Sequence, residues 1–467
     1  MRTDTNFRGT GIDGSGGRPL PGRDDLHGAT SSGSARRNGR WPARRQKRAA
    51  EVLRPLLNFG LSAETPVRIE FWDGSSLGPA ESPRAVTVRS ADAIRRMLWA
   101  PGELGVSRAY VAGNIDVGGD LYEVLHALHD AAARDLRDMG IEAIQKVCSA
   151  ALRLGLIGWP PRPPVVEARP SGRLHSRSRD AMAVTHHYDV GNDFYRMVLG
   201  PSMTYSCARF VDEGATLEDA QTAKHELICR KLGLADRSDM SLLDVGCGWG
   251  SMALHAASRY GAKVIGITLS KEQVAMARQR VAEAGLSDRI DIRLLDYRDL
   301  AGEQFDAISS VGMFEHVGTV RAGEYLTILW GLLAPGGRLL NHAISTAGGS
   351  KISSRSFIGR YVFPDGELVD VGEVILAMER AGFEVRDVES LREHYSKTLH
   401  AWGKNLQACW ADAVADVGEA RARIWLLYMA ASANGFDDGG LAVHQVLGVR
   451  PSRGGRSGMP MTRRGWD

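Results

Sequence analysis

The sequence predicts an α/β fold in which a mostly parallel sheet with helices on both faces forms the larger part of the chain. From residue 181 to about residue 450, short apolar runs alternate with longer amphipathic runs, the pattern of repeated strand–helix–strand units. The first apolar run leads into a glycine-rich turn and then a helix. A smaller region of mixed strand and helix patterns precedes it, so we expect a second, α+β domain.

Each element of the larger domain is predicted from the spacing of its apolar residues. Short apolar runs bounded by turn residues are typical of buried strands, and apolar residues three and four apart are typical of helices. The predicted strands are LLDVG (242–246), KVIGITL (263–269), IDIRLLD (290–296), FDAISSV (305–311) and RLLNHAI (338–344). The predicted helices are LEDAQTAKHELICRKLGL (217–234), KEQVAMARQRVAEAG (271–285) and GEYLTILWGLLAPGG (323–337).

The region before the larger domain carries its own strand and helix signals. VRIEFWDG and AVTVRS alternate in strand fashion, and Asp73-Gly74 is a turn signal. Ser90 is a candidate N-cap for a helix that Pro101 ends, and LYEVLHALHDAAARDLRDMG reads as an amphipathic helix closed by Gly140. We therefore predict a disordered basic tail at 1–48, an N-terminal domain at 49–158, a proline-rich linker at 159–180, the larger domain at 181–450 and a C-terminal tail at 451–467.

Length and composition exclude several classes of protein. The chain has 467 residues, of which 43% are hydrophobic, enough for two ordinary cores. It has no apolar run of about 18 residues and no apolar segment near Met1, so neither a transmembrane helix nor a secretory signal is predicted. The five cysteines are scattered, with neither a disulfide framework nor a zinc spacing, so we expect a reducing cytoplasm and no metal site.

The net charge of +3 is small, but basic residues are concentrated in two stretches. One lies between residues 36 and 48 and the other between residues 169 and 179. Such runs are typical of solvated, flexible chain, and they also suit attraction to anionic lipid headgroups. Nucleic acid is not an expected partner, because no aromatic-rich binding motif accompanies the basic residues.

The sequence LLDVGCGWG predicts a site for a nucleoside cofactor. Gly246, Gly248 and Gly250 follow a strand and open a helix, where glycines let the backbone approach a ligand and expose N–H groups. A dinucleotide site would instead favour G-x-G-x-x-G with a later acidic residue. Here Asp244 precedes the glycines, which suits a ligand whose amino-acid end carries a cationic amine. The motif therefore indicates S-adenosylmethionine.

Residues that follow the next two strands complete the predicted cofactor site, because ligands of open α/β sheets bind at the carboxyl ends of the strands. No acidic residue follows KVIGITL to hold the ribose hydroxyls, so this role is assigned to Thr268 and Gln273, with Leu269 beside them. After IDIRLLD, Asp296 is expected to accept from the adenine amine and Tyr297 to stack on the ring.

The segment VGMFEHVG, residues 311–318, carries candidate acid–base groups. Glu315 and His316 follow the predicted strand FDAISSV, so they are expected to face the cofactor's methyl group. From the residues alone, His316 with Glu315 beside it is the natural base, since histidine titrates near neutral pH. A covalent role for Cys207 is disfavoured, because no basic partner stands beside it in sequence.

The combination of HYDVGNDFY, YSC, LDVGCGWG, GITLS, MFEHVG and the later Tyr395 resembles cyclopropane fatty acid synthases, including the mycolic acid cyclopropane synthases. The resemblance covers about residues 183–449. It extends to the N-terminal domain, which the phospholipid-type enzymes of that family have and the mycolic-type enzymes lack. It implies a class I S-adenosylmethionine methyltransferase with a Rossmann-like sheet, and an N-terminal domain that helps the enzyme to dock on a membrane.

In the family that this chain resembles, a bicarbonate ion beside the methyl donor acts as the base. The resemblance leaves His316 structural and matches Tyr205 and Ser206 to positions that touch the cofactor. The ion would be held by backbone groups at two positions and by side chains at the other three. The matching residues are Cys207 and Ile344 for the backbone, and Glu315, His342 and Tyr395 for the side chains.

The resemblance implies methyl transfer to the double bond of an unsaturated acyl chain of a phospholipid, and a cyclopropane product is favoured. The resulting carbocation needs an apolar, closed pocket, and aromatic faces would stabilise it. It also implies a cytoplasmic enzyme bound peripherally to the inner face of the membrane, and a homodimer, since family members are often dimeric. Candidate aromatic residues are Tyr188, Phe194, Tyr205, Phe314 and Phe363.

Three other functions stay open at this point. The same methyl transfer could yield a methylene branch, the precursor of tuberculostearic-type acids, which a partner reductase would then reduce. The C-terminal segment GMPMTRRGW resembles the actinobacterial relatives that make such acids. A catalytically inactive lipid-binding protein and a methyltransferase for a small soluble or nucleic-acid substrate are the remaining alternatives.

Overall fold

The structure is a computed structural model that describes residues 49–60, 65–131, 141–156, 158–168, 190–300, 302–353, 355–364 and 366–466. The predicted tail 1–48, most of the predicted linker and the motif residue Tyr188 therefore lie outside the described residues.

A seven-stranded sheet with helices around it forms the larger part of the described chain. Its strands are β5 (Ser241–Val245), β6 (Lys263–Thr268), β7 (Ile290–Leu294), β8 (Phe305–Val311), β9 (Leu333–Ser345), β12 (Glu384–Ser390) and β13 (Ala442–Val449), in the order β12-β13-β9-β8-β5-β6-β7. The five strands from β9 to β7 are parallel, and β13 is antiparallel to both of its neighbours. The predicted mostly parallel sheet is confirmed, whereas the antiparallel strand β13 and the edge strand β12 beyond it were not predicted.

The parallel strands bring their carboxyl ends to one edge of the sheet. Asp244 on β5 lies opposite Ser309 on β8, and Val311 lies opposite His342 on β9. Because β6 pairs in parallel with β5, Thr268 at its end lies at the same edge. Residues far apart in sequence therefore come together here, as expected of open α/β sheets.

Ten helices accompany this sheet in the described part of the chain. The helix predicted at 323–337 begins earlier, at Phe314, and ends earlier, at Leu332, because the chain turns into β9 at Leu333. This helix is kinked at Gly318, whose φ of 71° is not helical. The helices are α6 (Asn192–Leu199), α7 (Leu217–Leu232), α8 (Ser251–Tyr260), α9 (Lys271–Glu283), α10 (Phe314–Leu332), α11 (Phe357–Tyr361), α12 (Val371–Arg380), α13 (Arg392–Ala408), α14 (Trp410–Val417) and α15 (Glu419–Asp437). The short strands β10 (Ser350–Lys351) and β11 (Glu367–Leu368) form a separate hairpin-like pair.

The N-terminal region forms a small α+β unit, as predicted. Its sheet has the order β2-β1-β3-β4, with β1 and β3 parallel. Ser90 is the N-cap of helix α2 (Ala91–Trp99), as predicted, but its hydroxyl accepts from the Asn114 side chain and not from a helix amide. The helix predicted to run from residue 121 to Gly140 ends at Asp130, with Ala131 as its C-cap, and residues 132–140 lie outside the described residues. The elements are α1 (Ala49–Gly60), β1 (Arg68–Phe71), β2 (Ser76–Leu77), β3 (Ala85–Val88), α2 (Ala91–Trp99), α3 (Glu103–Val111), β4 (Ile115–Gly118), α4 (Leu121–Asp130) and α5 (Ile141–Arg153).

The N-terminal unit shares a hydrophobic core with the helices that follow β12. Tyr122 on α4 donates from its hydroxyl to the carbonyl of Leu399 at 2.9 Å. A Cβ atom added to Gly403, one turn further along α13, would lie 1.8 Å from that hydroxyl oxygen, so only glycine fits there. The domain boundary near residue 158 stays a prediction, while the packing between the two regions is close.

The described part of the predicted linker is held against the N-terminal unit. Arg95 and Arg96 on α2 donate to the carbonyls of Trp159 and Arg162. Arg108 on α3 makes two hydrogen bonds to the buried carboxylate of Glu167, at 2.6 and 2.8 Å. Residues 158–168 therefore lie along α2 and α3.

The C-terminal segment 451–466 contains neither helix nor strand, as its composition predicts, but it is packed on the sheet domain. Trp466 is buried in the core beside α8, and Arg463 forms an ion pair with the buried Asp387 at 2.5 Å. Among the helices described, none combines the length and the apolar character needed to cross a bilayer.

Candidate active site

The glycine turn after β5 has the backbone geometry that its sequence requires. Gly246, Gly248 and Gly250 have positive φ values of 76°, 54° and 81°, which glycine adopts without strain. A Cβ atom on Gly246 would lie 2.4 Å from the sulfur of Met313, so the loop before α10 closes directly over the turn. Gly246 therefore needs to be glycine both for its conformation and for this close approach.

A deep pocket opens over this turn at the carboxyl edge of the sheet. Gly250 is the one predicted cofactor residue outside its lining, because it begins α8 and packs near Ala277 instead. Lys224, His225 and His316 also line the pocket, although the first two were not predicted. The predicted residues in the lining are Tyr205, Ser206, Asp244, Gly246, Gly248, Thr268, Leu269, Gln273, Asp296 and Tyr297.

The polar groups on β5 and β6 fit a ligand with hydroxyl and ammonium groups. Thr268 donates from its hydroxyl to Gln273 Oε1 at 2.7 Å, so the two residues assigned to the ribose form one unit. Asp244 accepts from Ser309 at 2.6 Å through Oδ1, while its buried Oδ2 has no partner among the described residues. Burial raises the pKa of Asp244 to about 6, because the buried carboxylate has lost its contact with water. A cationic ligand beside it would stabilise the charged form.

The adenine end of the predicted site is arranged differently from the expectation. Both carboxylate oxygens of Asp296 accept from the Arg298 guanidinium, at 2.8 and 2.5 Å. The Tyr297 ring lies edge-on to Tyr325 with centroids 4.8 Å apart, and its residue is buried. Both residues line the pocket, and their contact with a bound adenine stays a prediction. Asp296 is already paired with the Arg298 guanidinium.

Glu315 is held by the end of β9. The backbone N–H of Ile344 donates to Glu315 Oε1 at 2.7 Å, whereas the buried Oε2 has no partner in the described chain. Burial raises the pKa of Glu315 to about 7, and the Ile344 bond opposes that shift. The pKa of this buried carboxyl group therefore lies close to neutral pH.

His342 lies two residues before Ile344 on β9 and is also buried. Its Nδ1 faces the side-chain amide of Gln445 at 3.4 Å, and its Nε2 is a second buried atom that lacks a partner among the residues described. Burial lowers the pKa of His342 to about 3 and that of His316 to about 4. Both imidazoles are neutral at pH 7 and only weakly basic.

The Cys207 thiol and the Tyr395 backbone amide both approach the same backbone carbonyl. The Cys207 thiol lies 3.6 Å from the carbonyl oxygen of Leu391, which also accepts from the Tyr395 amide at 3.1 Å. Burial raises the pKa of the Cys207 thiol far above its ordinary value, so the group stays protonated. A nucleophilic role for Cys207 is therefore disfavoured, as the sequence indicated.

A cluster of aromatic side chains stands beside these groups. The hydroxyls of Tyr205 and Tyr428 are 3.4 Å apart, and the Tyr205 ring packs against Trp402 and Trp425. Phe363 lies edge-on to Tyr428 at 5.8 Å. Of the predicted aromatic residues, Tyr205, Phe363 and Phe194 belong here, and Phe194 packs on Trp425 with centroids 5.5 Å apart. Trp402, Trp425 and Tyr428 were missed. They lie on α13 and α15, more than 190 positions after Tyr205, and no local signal marks them.

Comparison with known proteins identifies the family. Residues 175–446 match the family described as mycolic acid cyclopropane synthetase, which is more than half of the chain. The chain belongs to the mycolic acid cyclopropane synthetase family. The resemblance drawn from the sequence motifs is thereby confirmed, and the chain is a methyltransferase of the class I S-adenosylmethionine-dependent fold.

Several curated members of this family are similar over most of the chain. A probable fatty acid methyltransferase of Mycobacterium tuberculosis is 41% identical over 426 residues, covering 86% of this chain and 95% of that protein. The tuberculostearic acid methyltransferase UfaA1 of the same organism is 34% identical and covers 82% and 88%. The cyclopropane-fatty-acyl-phospholipid synthase of Escherichia coli is 38% identical and covers 62% and 72%.

Solved structures of the family match the larger domain. The mycolic acid cyclopropane synthase CmaA1, complexed with SAH and CTAB, is 34% identical with a TM-score of 0.54. The match covers 57% of this chain and 97% of CmaA1. The match spans nearly all of CmaA1 and little more than half of this chain, so the residues outside it are additional to CmaA1.

Proposed function

We propose that this family member transfers the methyl group of S-adenosylmethionine to the double bond of an unsaturated fatty acyl chain in a phospholipid, giving a cyclopropane ring. The observation that carries the proposal is the pair of unpartnered buried atoms, Glu315 Oε2 and His342 Nε2, beside the cofactor pocket. A buried polar atom without a partner calls for an explanation, and a bound ion or a catalytic role is one of those available.

These residues fit a bicarbonate ion. If Gln445 donates to His342 Nδ1, then His342 Nε2 carries the proton and donates to an anion, while Glu315 Oε2 accepts from the hydroxyl of the ion. The Ile344 amide is already bonded to Glu315, so its role is to fix that carboxylate. Bound there, bicarbonate would supply the base that takes a proton from the transferred methyl group.

The remaining residues exclude water and orient the alkene. An isolated double bond is a weak nucleophile, so the methyl donor and the alkene need to be held close and in line. The carbocation that follows would react with water, and the aromatic cluster around Tyr205 and Trp425 offers an apolar surface with electron-rich faces. The methyl group then loses a proton, and the carbon that bore it closes the ring.

A methylene-branched product is the second candidate, and one relative favours it. The tuberculostearic acid methyltransferase covers 82% of this chain, whereas the cyclopropane synthase of E. coli covers 62%. This product needs the same cation and the same base, and differs by a hydride shift before the proton is lost. A reductase partner would be required to complete a methyl branch.

Docking on a membrane surface is supported by exposed apolar side chains on the N-terminal unit. Trp99 is 58% exposed and Trp159 is 90% exposed, and both lie beside Arg95 and Arg96 on α2. Tryptophan with arginine is typical of surfaces that meet lipid headgroups. We define Trp99, Trp159, Arg95 and Arg96 as the aromatic–basic patch.

The test is mass spectrometry of fatty acids from oleate-fed cells that express the protein, with a trideuteromethyl donor supplied through labelled methionine. Either product should gain one carbon and keep two of the three deuterium atoms, because the methyl group loses one to the base. Ozonolysis then separates the candidates, since it cleaves an exocyclic methylene group and leaves a cyclopropane ring intact. We expect the ring.

Cells that express Glu315→Gln at equal level provide the control and should yield neither product. Retention of all three deuterium atoms would contradict the proposed proton loss. Soluble wild-type protein that gives no gain in mass would instead favour a lipid-binding role.

A further inference from the structure

Glu167 is a buried carboxylate that the proposed reaction does not use. It is 8% exposed and lies in the segment 158–168, where the sequence predicts a proline-rich linker. Arg108 on α3 donates to both of its oxygens, at 2.6 and 2.8 Å. Burial alone would raise the pKa of Glu167, but these bonds and the charge of Arg108 hold it below its ordinary value. The carboxylate is therefore ionised at neutral pH, and paired, charged hydrogen bonds of this kind are strong.

The same carboxylate and the residue that follows it fasten helix α11. The Tyr361 hydroxyl donates to the carboxylate Oε2 at 3.1 Å, and the Ala168 amide donates to the Arg360 carbonyl at 2.7 Å. At the other end of α11, the Phe357 amide donates to the Glu103 carboxylate on α3 at 3.0 Å. The Phe357 and Tyr361 side chains are buried in the core that the two regions share. Both ends of α11 are therefore tied to the N-terminal unit or to the linker segment.

The chain that leaves α11 enters the active site. The Phe363 amide donates to the Ile358 carbonyl at 2.9 Å, so the position of Phe363 follows that of the helix. The Phe363 ring lies edge-on to Tyr428, 5.8 Å away, and to His316, 6.2 Å away. Pro364 is part of the lining of the cofactor pocket. A shift of α11 would therefore move two residues of the active-site wall.

We propose that Glu167 is a positioning residue that keeps residues 357–364 against the active site and thereby excludes water from the carbocation. The cation is that of the proposed function, on which this role of Glu167 rests. If the segment moved away, water would reach the cation, and a lone pair of the water oxygen would form a C–O bond. The added water then loses a proton to solvent, which gives a methyl-branched alcohol instead of a ring. The transferred methyl group keeps all of its hydrogen atoms in that product.

The test measures the alcohol as a fraction of all methylated product, with purified enzyme and unsaturated phospholipid dispersed in detergent. The reaction runs in water labelled with heavy oxygen, so mass spectrometry recognises the alcohol by its label. Glu167→Gln keeps an acceptor but loses the charge, and it should raise the alcohol fraction about tenfold or more. Tyr361→Phe removes only the hydroxyl and should raise the fraction by a smaller factor. A general loss of folded enzyme would lower all products together and leave this fraction unchanged.

Glu123→Gln is the matched control, because it removes the same charge from an exposed ion pair with Arg84 on the N-terminal unit. Its alcohol fraction should equal that of the wild type. A wild type that forms the ring, with unchanged alcohol fractions in Glu167→Gln and Tyr361→Phe, would overturn the role of Glu167 alone. A wild type that forms neither a ring nor a methylene branch would overturn the proposed function and this role with it. If Glu167→Gln does not fold, an unchanged fraction in Tyr361→Phe is sufficient to overturn the role.

Discussion

Glu315 is the residue on which the proposed base depends. Replacing it with glutamine keeps an oxygen for the Ile344 amide but removes the acceptor for an ion at Oε2. We expect turnover to fall roughly 100-fold or more, the usual effect of losing a general base. The dissociation constant of S-adenosylhomocysteine should change less than threefold, since Glu315 is outside the cofactor lining.

Single-turnover rates in carbonate-free buffer, with bicarbonate added back, complete this test. Wild-type activity should recover on addition, and Glu315→Gln should not respond. Wild-type activity that does not depend on bicarbonate would mean that the Glu315 carboxylate acts as the base directly.

The raised pKa of Glu315 also makes stability depend on pH. The unfolded carboxyl group ionises near pH 4.5, whereas burial raises the pKa to about 7 in the folded protein. Between these values the folded state holds a proton that the unfolded state releases, so the contribution of Glu315 to the free energy of unfolding falls as pH rises. The full loss is at most about 3 kcal/mol.

Glu315→Gln cannot ionise and should avoid this loss. In carbonate-free buffer, the melting temperature of the variant minus that of the wild type should therefore be larger at pH 8 than at pH 5. A difference between the two proteins that is the same at both pH values would show that Glu315 titrates normally.

At the scale of elements, the contact between α4 and α13 depends on one glycine. Gly403→Ala would place a Cβ atom 1.8 Å from the Tyr122 hydroxyl, and such overpacking costs about 1–3 kcal/mol. Tyr122→Phe alone loses the buried bond to Leu399, about 1 kcal/mol. Phenylalanine removes the nearest atom but leaves ring carbons 2.8 and 3.1 Å from the added Cβ. Part of the clash is therefore relieved, and the double variant should be less destabilised than the sum of the single changes, by about 1 kcal/mol.

Denaturant unfolding of the two single variants and the double variant measures this coupling. Gly331→Ala on α10 is the matched control, since its added Cβ meets no atom within 4 Å. It should be neutral or slightly stabilising. Strict additivity of the Tyr122 and Gly403 changes would contradict the packing described.

The parallel strands and their helices could be predicted from sequence because each is encoded by a local apolar pattern. The cofactor residues after β5 and β6 could also be predicted, since parallel strands bring their ends to one edge. The pairing of β12 with β13 could not, because the helices α13 to α15 separate these strands along the chain. Lys224 and Tyr428 were missed for the same reason: burial and contact with the site arise only when distant elements pack.

At the scale of the whole molecule, the aromatic–basic patch should control attachment to membranes. The double variant Trp99→Ala, Trp159→Ala should bind vesicles of anionic and neutral phospholipid roughly tenfold more weakly than the wild type in a sedimentation assay. Binding of both proteins should decrease with salt, because the arginines contribute electrostatically.

Met461→Ala removes a side chain that is 95% exposed on the C-terminal segment, and it should bind like the wild type. Turnover on substrate dispersed in detergent should be unaffected by the tryptophan changes, since neither residue lines the pocket. Unchanged vesicle binding by the double variant would assign attachment to another surface.

The close approach of Tyr122 to Gly403 also constrains how this protein can diverge. A lineage that keeps an aromatic ring at position 122 excludes a side chain at position 403, because ring carbons as well as the hydroxyl lie within 3.1 Å of it, whereas one with a smaller residue at position 122 does not. Members of the family that lack the N-terminal unit are released from the constraint altogether. Substitutions at these two positions should therefore be correlated in evolution, and the correlation should vanish in the shorter enzymes.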